Sequence, residues 1–313
     1  MRAFAIDEFG AAGSVRELPE PVPAEGQVRV RVEAAAVNQA DNAMLGGAFK
    51  EWMEHRFPLV PGLDLAGTVD QVGPAVEGLR AGDPVFGVHG KMLVGAGTFA
   101  ESVAASAGTL ARRPPGIDAA FGAALALTGV SALQMVDGAA LQAGDAVLIL
   151  GAAGGVGGVA VQLAVAAGAR PIAVTRAVNH DYVRGLGASE AIDYETEDVF
   201  EAVRAAHPEG LAAIFDTVGD KAANGHLAEL VRPGGHLFSM MGGADAEVLA
   251  ARGITGVNVV TQVTTDKLER LAGYVEAGSL RRPEIRTFPL DGAGQALAEV
   301  AGRHSRGKLV VVP

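Results

Sequence analysis

Residues 147–169 read VLILGAAGGVGGVAVQLAVAAGA, and this stretch decides the fold. An apolar strand is followed by a glycine turn and then by a helix, the order of elements that opens a dinucleotide-binding βαβ unit. Gly154 and Gly157 carry no side chain, so a pyrophosphate can reach the backbone N–H groups at the start of the helix. Alanine takes the place of the first glycine of the usual fingerprint. The turn predicts a dinucleotide site at Ala152, Gly154, Gly155, Val156 and Gly157.

Five more strand-like runs follow this turn and alternate with helical segments. They are RPIAVT (170–175), EAIDY (190–194), AAIFDTV (212–218), HLFSMM (236–241) and GVNVVTQ (256–262). Short apolar strands that alternate with helices are typical of a parallel sheet covered by helices. We therefore predict an α/β fold in which residues 119–262 form a Rossmann doubly wound parallel sheet.

The two ends of the chain have a different pattern. Alternating runs such as VRVRVEAAAV (28–37) indicate short strands before residue 118, and RRPPG (112–116) marks a crossing into the next domain. The tail contains a helical stretch and then PEIRTF and KLVVVP, which we expect to return to the first domain as strands. The predicted division is a mostly β domain at 1–118, the Rossmann domain at 119–262 and a return segment at 263–313.

Composition excludes several classes of function. With 49% hydrophobic and 19% charged residues, the chain can bury a core, which excludes wholesale disorder. A formal charge of −11 repels nucleic-acid phosphates and anionic lipid surfaces, so we expect neither nucleic acid nor membrane as a partner. The chain has no cysteine, which excludes disulfides, thiol nucleophiles and cysteine-ligated metals.

Two uncharged stretches, Ala119–Val136 and Ala146–Ala169, are long enough to raise a membrane-spanning interpretation. The glycine turn interrupts the second and polar residues interrupt the first, so both are better explained as the core of an α/β fold. Asp7 and Glu8 stand where a signal peptide needs apolar residues. We expect a cytoplasmic protein.

The end of the strand after the glycine turn selects the dinucleotide. NAD-binding proteins usually have an acidic residue there for the ribose 2′-hydroxyl, whereas NADP-binding proteins offer a cation for the 2′-phosphate. Here the strand ends in Thr175 and Arg176, no acid occurs until Asp181, and His180 is a further donor. This pattern favours NADPH, against the alternative that Arg176 is only a solvated cation.

Eight sequence blocks resemble, in the same order, those of the medium-chain dehydrogenase/reductase superfamily in its zinc-independent quinone oxidoreductase branch. They include AVNQADNAMLGG (36–47), FPLVPGLDLAGTVDQVG (57–73), GTFAESV (97–103), ALTGVSA (126–132), FDTVG (215–219) and GKLVVV (307–312). The resemblance implies a GroES-like, mostly β catalytic domain assembled from both chain ends, with the Rossmann domain inserted. It also implies a homodimer formed through the GVNVVTQ strand.

The resemblance predicts no metal. Zinc alcohol dehydrogenases hold their catalytic zinc at positions that match Asn38, Leu63 and Ala124, none of which is a useful zinc ligand. Without zinc to stabilise an alkoxide, we expect hydride transfer to a quinone or a conjugated enone, whose oxygen takes up the negative charge.

The resemblance also assigns residues to the site. Asn38 lines the nicotinamide and acceptor pocket, where its amide can donate to a developing oxyanion, unless it only caps a turn. Asp41 is more a helix cap than a catalytic group, and Asp64 either orders the pocket or pairs with an arginine. Thr128 resembles a nicotinamide-contacting threonine. Further cofactor contacts are implied at Val218, Gly219, Met241 and Gly242.

The proton donor is not a tyrosine of the N-terminal half. Related enoyl-thioester reductases have a tyrosine at the position that matches Phe49, and the tyrosines of this chain are at 182, 194 and 274. Water, His55, His89 and Lys91 are left as donors. An apolar wall for a flat acceptor is predicted from Phe49, Trp52, Met53 and Phe57, with ordinary packing as the alternative.

Together these features predict an enzyme, a zinc-independent NADPH:quinone or enone oxidoreductase with a small-molecule acceptor. One alternative is an enoyl-thioester reductase of fatty-acid or polyketide synthesis. Another is an NADPH-binding sensor or structural protein without turnover. The sequence leaves open the acceptor, the choice between one- and two-electron quinone chemistry, and whether the loop Val88–Gly97 closes on the acceptor.

Overall fold

The structure is a computed structural model that describes residues 1–90, 93–219 and 221–313. It divides the chain into two units. The first comprises Met1–Leu127, Val263–Glu276 and Glu284–Pro313, and the second comprises Thr128–Gln262 and Ala277–Pro283. Both ends of the chain thus belong to the first unit. The division after Leu127 falls inside a helix, Ala119–Ala139, whereas the sequence pattern placed the boundary ahead of it.

The elements alternate in type only in the middle of the chain. The strands are β1 (Arg2–Ala5), β2 (Ser14–Glu17), β3 (Gln27–Ala36), β4 (Glu54–Val60), β5 (Asp64–Val72), β6 (Pro84–Val88), β7 (Leu93–Ala96), β8 (Ser102–Ser106), β9 (Leu110–Arg112), β10 (Ala146–Leu150), β11 (Arg170–Val174), β12 (Glu190–Ile192), β13 (Leu211–Asp216), β14 (Val231–Ser239), β15 (Thr255–Asn258), β16 (Ile285–Pro289) and β17 (Lys308–Val312). The α-helices are α1 (Gln39–Leu45), α2 (Ala119–Ala139), α3 (Gly155–Ala166), α4 (His180–Gly185), α5 (Val199–Ala206), α6 (Lys221–Leu227), α7 (Ala246–Ala250), α8 (Thr265–Glu276) and α9 (Ala293–Ala301).

The first unit is built on a mixed sheet. Within the described residues its order is β16-β17-β3-β5-β6-β9, with β8 also paired to β3. Strand β17 runs antiparallel to β3, with Val310 opposite Ala36, so the tail completes the sheet as predicted. Val28, Val30 and Val32 of β3 are buried, which is the period-two pattern of a strand with one face on the core.

The second unit contains a sheet of parallel strands. Their order is β12-β11-β10-β13-β14-β15, the 3-2-1-4-5-6 order of a Rossmann fold, so the predicted doubly wound sheet is confirmed. Every residue of β10 and β13 is buried, because helices cover both faces of the sheet centre. The strand order reverses between β10 and β13. In such sheets ligands bind at this point, beyond the carboxyl ends of the strands.

The two apolar stretches have different structures. Helix α2 is long and apolar enough to cross a membrane by length and composition, but 78% of its most apolar window is buried inside the protein. A buried core helix passes the same test, so this is weak evidence for a span. The stretch 146–169 is divided into β10, a turn and α3, and it is therefore not one helix.

Candidate active site

Glycines at every third position shape the turn between β10 and α3. Gly151 has a φ of +73°, a conformation that suits glycine, and a Cβ there would lie 2.6 Å from Thr217 Oγ1. At Gly157 a Cβ would lie 2.3 Å from the carbonyl oxygen of Gly151, so the helix packs too closely against the turn to allow a side chain at this position. Gly151 thus makes the tight turn, which explains why Ala152 is tolerated. Gly151 was not among the predicted residues, although its spacing from Gly154 was a usable signal.

The start of α3 is open to a ligand. A Cβ on Gly154 would have one neighbour within 4 Å, the carbonyl oxygen of Gly151 at 3.3 Å. Gly154 is the N-cap of α3, and the N–H groups of Gly155, Val156 and Gly157 have no acceptor inside the helix because they belong to its first turn. Free donors, an open approach and the positive end of the helix dipole fit a pyrophosphate.

The end of β11 carries the residues predicted for the ribose phosphate. Thr175 is 5% exposed, and its hydroxyl accepts a hydrogen bond from Asn179 Nδ2 at 3.2 Å. Arg176 is half-buried and has no ion-pair partner among the described residues. In the same part of the chain, the buried Nε2 of His180 has no hydrogen-bond partner. A free cation and a free imidazole nitrogen form a donor set that suits a 2′-phosphate.

A buried carboxylate organises the loop after β13. Asp216 has no exposed surface, and its Oδ1 accepts from the N–H groups of Val218 at 2.9 Å and Gly219 at 2.8 Å. Its Oδ2 accepts from Asn224 Nδ2 at 2.6 Å and from the Ser239 hydroxyl at 2.7 Å. This role of Asp216 was not predicted from the sequence. Its signal is an acidic residue that ends an otherwise apolar strand.

The loops after β13 and β14 lie against each other. A Cβ on Gly219 would lie 2.3 Å from Met241 Cβ, and the backbone N–H of Met241 donates to the Ser239 hydroxyl at 3.3 Å. Val218 and Met241 are 44% and 54% exposed, so both apolar side chains are open to a ligand.

Most of the predicted cofactor residues of the second unit meet at one edge of its sheet. They follow β10, β11, β13 and β14, which are neighbours whose carboxyl ends share that edge. The residues brought together there are Ala152, Gly154, Gly155, Val156, Gly157, Thr175, Arg176, His180, Val218, Gly219, Met241 and Gly242. Thr128 instead lies on α2 and is 4% exposed, and Asn38 belongs to the first unit.

The first unit contains a buried polar network around Asn38, the N-cap of α1. Asn38 Nδ2 donates to Asp64 Oδ2 at 2.5 Å, and Asn38 Oδ1 accepts from Lys308 Nζ at 2.7 Å. The other oxygen of Asp64 accepts from the N–H of Leu127 at 2.6 Å. Asp64 is thus bonded to an amide that in turn accepts from an ammonium group, and in the described part of the chain no arginine pairs with it. Lys308 was not predicted, although a lone lysine that begins an apolar strand is a signal.

Asp41 lies in the first turn of α1 and has no exposed surface. Its Oδ2 accepts from the N–H of Asn38 at 2.7 Å, which is the capping interaction expected from the Asn-x-x-Asp spacing. Burial raises the pKa of Asp41 to about 7, although the hydrogen bond from the Asn38 N–H and the charge of Lys308 act in the opposite direction. Its Oδ1 has no hydrogen-bond partner among the described residues. Asp41 therefore combines a capping role with an ionisation near neutrality.

Burial also shifts the other ionisable groups of this network. It raises the pKa of Asp64, while Lys308 and the Asn38 amide lower it. It lowers the pKa of Lys308, while Asp64 and Asp41 raise it. Since two buried carboxyl groups share one ammonium group, the network is balanced when one of the carboxyls is ionised. Asp64 accepts the closer donors, so the geometry favours Asp64 as the ionised member.

The predicted apolar wall is only partly assembled. Phe49 and Met53 pack on a small cluster with Met44, and Phe57 contacts Phe9 edge to face at 5.1 Å. Trp52 is 82% exposed. A surface depression is lined by Phe9, Met44, Phe49, Lys50 and His55. Of the four predicted residues only Phe49 lines it.

The predicted proton donors differ in accessibility. His55 is exposed and its ring lies 4.9 Å from that of Phe9, whereas His89 is 4% exposed. Lys91 lies outside the described residues, as does part of the loop 88–97. Across 1–90, 93–219 and 221–313, no group of three or more His, Cys, Asp or Glu residues could hold a metal ion.

Two family models match the chain. Residues 24–115 match the alcohol dehydrogenase GroES-like domain, and residues 186–311 match a model described as zinc-binding dehydrogenase. The first match agrees with the mostly β first unit, so the GroES-like part of the predicted fold is confirmed.

Relatives match the full length. The chain is 32% identical to an NADPH-dependent alkenal/one oxidoreductase of Arabidopsis thaliana, over 100% of this chain and 80% of the relative. It is 32% identical to the quinone oxidoreductase QR1 of Triphysaria versicolor, over 100% of this chain and 98% of the relative. Among solved structures, the quinone oxidoreductase of Coxiella burnetii matches with a TM-score of 0.90 at 29% identity, over 100% of this chain and 99% of that one. From the sheet order, the site and these relatives, the chain belongs to the medium-chain dehydrogenase/reductase superfamily, in its quinone oxidoreductase-like branch.

Proposed function

We propose that the protein is an NADPH-dependent reductase that transfers hydride to a quinone or a conjugated enone. The observation that carries the proposal is Arg176, which has no ion-pair partner among the residues that the structure describes and follows a strand at the same sheet edge as the open glycine turn. The Arabidopsis relative is named an NADPH-dependent alkenal/one oxidoreductase, which supports both the cofactor and the class of acceptor.

The residues of the second unit fit NADPH. The first-turn N–H groups of α3 would bind the pyrophosphate, and the room above Gly154 would let it approach. Arg176 and the unpartnered Nε2 of His180 would bind the 2′-phosphate. Bound NADPH supplies the hydride. The protein's part is to hold and orient the dinucleotide at the carboxyl edge of the sheet.

The first unit would supply the hydrogen bond for the acceptor. Reduction of a quinone or enone places negative charge on an oxygen, which a preorganised donor stabilises. Asn38 is half-buried, and one of its amide hydrogens is donated to Asp64. The other points to Ala36 O at 3.4 Å, a weak interaction that an acceptor oxygen could replace. Asn38 would therefore donate to the acceptor, and the proton would come from water or from a histidine of this unit.

A steady-state assay of NADPH oxidation tests this proposal. The acceptor panel would contain a para-quinone, an α,β-unsaturated ketone and an enoyl thioester. We expect oxidation with the quinone or the ketone and a much lower rate with the thioester. A preference for the thioester would support the enoyl-thioester reductase instead. Tight NADPH binding without oxidation by any acceptor would support the non-catalytic alternative.

We further propose that the protein is a cytoplasmic homodimer. The exposed edge of β15 is where a second copy would pair. Sedimentation of the purified protein tests the homodimer, and an exclusively monomeric species at micromolar concentration would contradict it.

A further inference from the structure

The amide group of Asn38 is held at both ends by groups of opposite charge. The ammonium of Lys308, which can only donate, lies 2.7 Å from Oδ1, and the carboxylate of Asp64, which only accepts, lies 2.5 Å from Nδ2. Turning the amide over would set donor against donor and acceptor against acceptor. The two charged groups therefore allow a single orientation of the amide.

The fold places Lys308 at this position through the register of β17. Because β17 runs antiparallel to β3, with Val310 opposite Ala36, the first residue of β17 lies next to the segment that follows β3. A second hydrogen bond joins Lys308 Nζ to Val37 O at 2.8 Å. The backbone of Lys308 belongs to β17, and its side chain is bonded to residues that follow the end of β3.

Lys308 interrupts an otherwise apolar strand end. The next residues of β17, Leu309, Val310 and Val311, are buried and apolar, whereas Lys308 is a charged residue that is 6% exposed. Burial of an ammonium group costs free energy, which the buried carboxyl groups of Asp64 and Asp41 offset here. The hydrogen bond of the ammonium group nevertheless goes to Asn38 Oδ1, so the cation acts on the amide as well as on the charge balance.

We propose that Lys308 is a positioning residue for the reduction, which it serves through Asn38. It holds Oδ1 and so directs the weakly bonded hydrogen of Nδ2, which points to Ala36 O, away from the lysine. Its charge polarises the amide, which makes the N–H groups of Asn38 stronger donors. Lys308 does not contact the acceptor itself. The inference rests on the proposed function, in which Asn38 donates to the acceptor oxygen.

The first test is the variant Lys308→Met, which keeps the length of the side chain without its charge. We expect kcat to fall about 10- to 100-fold while the dissociation constant of NADPH changes by less than about twofold. Lys267→Met, on α8, is the matched control and should retain wild-type kcat. If Lys308 acts through Asn38, the double variant with Asn38→Leu should lose no more activity than Asn38→Leu alone. Additive losses would overturn the proposal.

The second test restores the charge chemically. The chain has no cysteine, so Lys308→Cys can be alkylated at that site alone. Treatment of the unfolded variant with 2-bromoethylamine rebuilds an ammonium side chain of nearly the same length, and iodoacetamide gives a neutral control. After refolding, with the wild type taken through the same cycle, we expect kcat to recover only with the ammonium. Equal activity of the two adducts would overturn the proposal.

A third readout separates this inference from the proposed function. The chain has five asparagines, so selective 15N labelling gives a small set of side-chain signals, and Asn38→Leu assigns that of Asn38. We expect Lys308→Met to shift the Asn38 amide signals and to speed their hydrogen exchange. If the wild type reduces no acceptor, the proposed function fails while this shift still reports the contact. Unchanged Asn38 signals would contradict the inference whatever the activity.

Discussion

At the scale of single residues, Asp41 is a carboxyl group without solvent contact whose pKa is raised to about 7 by burial. In the unfolded chain an aspartate titrates near ~3.9. The folded state therefore binds the proton more tightly, and stability falls as pH rises from about 4 to about 7. The loss within this window is roughly 1.4 kcal/mol per pH unit.

The variant Asp41→Asn removes this titration. We expect its free energy of unfolding to vary less with pH than that of the wild type. The stability of the variant relative to the wild type should therefore increase as pH rises towards about 7. Urea denaturation at a series of pH values measures both curves. Asp181→Asn, at an exposed residue of α4, is the control and should follow the wild type. Parallel curves for Asp41→Asn and wild type would show that Asp41 does not titrate in this range.

Asp216 is the second residue whose environment makes a clear prediction. Its hydrogen-bond partners in the described part of the chain are donors, namely two backbone N–H groups, Asn224 Nδ2 and the Ser239 hydroxyl. Asp216→Asn would place an NH2 group against these donors, and we expect a loss of about 2–3 kcal/mol in the free energy of unfolding. Ser239→Ala removes one bond and should cost about 1 kcal/mol. Equal losses in chemical denaturation would contradict this account of the network.

At the scale of elements, two glycines of the turn and helix at 151–157 have different roles, one in packing and one in ligand binding. A Cβ on Gly157 would meet backbone atoms at 2.3 and 2.7 Å, so Gly157→Ala must open the turn and should lower the melting temperature by several degrees. In Gly154→Ala the nearest atom to the new Cβ would lie at 3.3 Å, so this variant should fold normally. Its methyl group would occupy the approach of the pyrophosphate, so we expect about tenfold weaker NADPH binding. Melting curves and fluorescence titration of both variants measure this contrast, and equal melting temperatures would contradict it.

The strands of the second unit were predictable because each is a short apolar run between turn signals. The predicted strand VLIL (147–150) corresponds to β10 (Ala146–Leu150), and the predicted strand RPIAVT corresponds to β11 (Arg170–Val174). Some ends were misplaced, since GVNVVTQ forms a strand only over Thr255–Asn258. Periodicity reports which residues are buried, and it gives little information on where hydrogen bonding to a neighbouring strand ends.

The site was predictable where it follows the chain locally. The glycine turn and Arg176 are close in sequence to the strands that position them, so a pattern could find them. Lys308 contacts Asn38 across 270 positions of the chain, and only the pairing of β17 with β3 brings them together. Asp216 was missed for a related reason, because two of its donors come from residues on α6 and β14.

At the scale of the whole molecule, a net charge of −11 opposes the binding of any polyanion. In the proposed function, affinity for NADPH therefore comes from local donors at the carboxyl edge of the sheet. Arg176 follows β11 at this edge and has no ion-pair partner within the described residues. Cofactor choice should depend on this one side chain more strongly than in a protein whose overall charge attracts the phosphate.

The most direct test of the central claim is the ratio of kcat/KM for NADPH to that for NADH, measured with the best acceptor. We expect a preference for NADPH of about 10- to 100-fold, since a hydrogen bond to a charged group contributes about 1.5–3 kcal/mol. In Arg176→Ala the ratio should fall to about one while kcat/KM for NADH is retained, and Arg184→Ala, on α4, should keep the wild-type ratio. A wild-type ratio near one, or a preference that survives Arg176→Ala, would contradict the account.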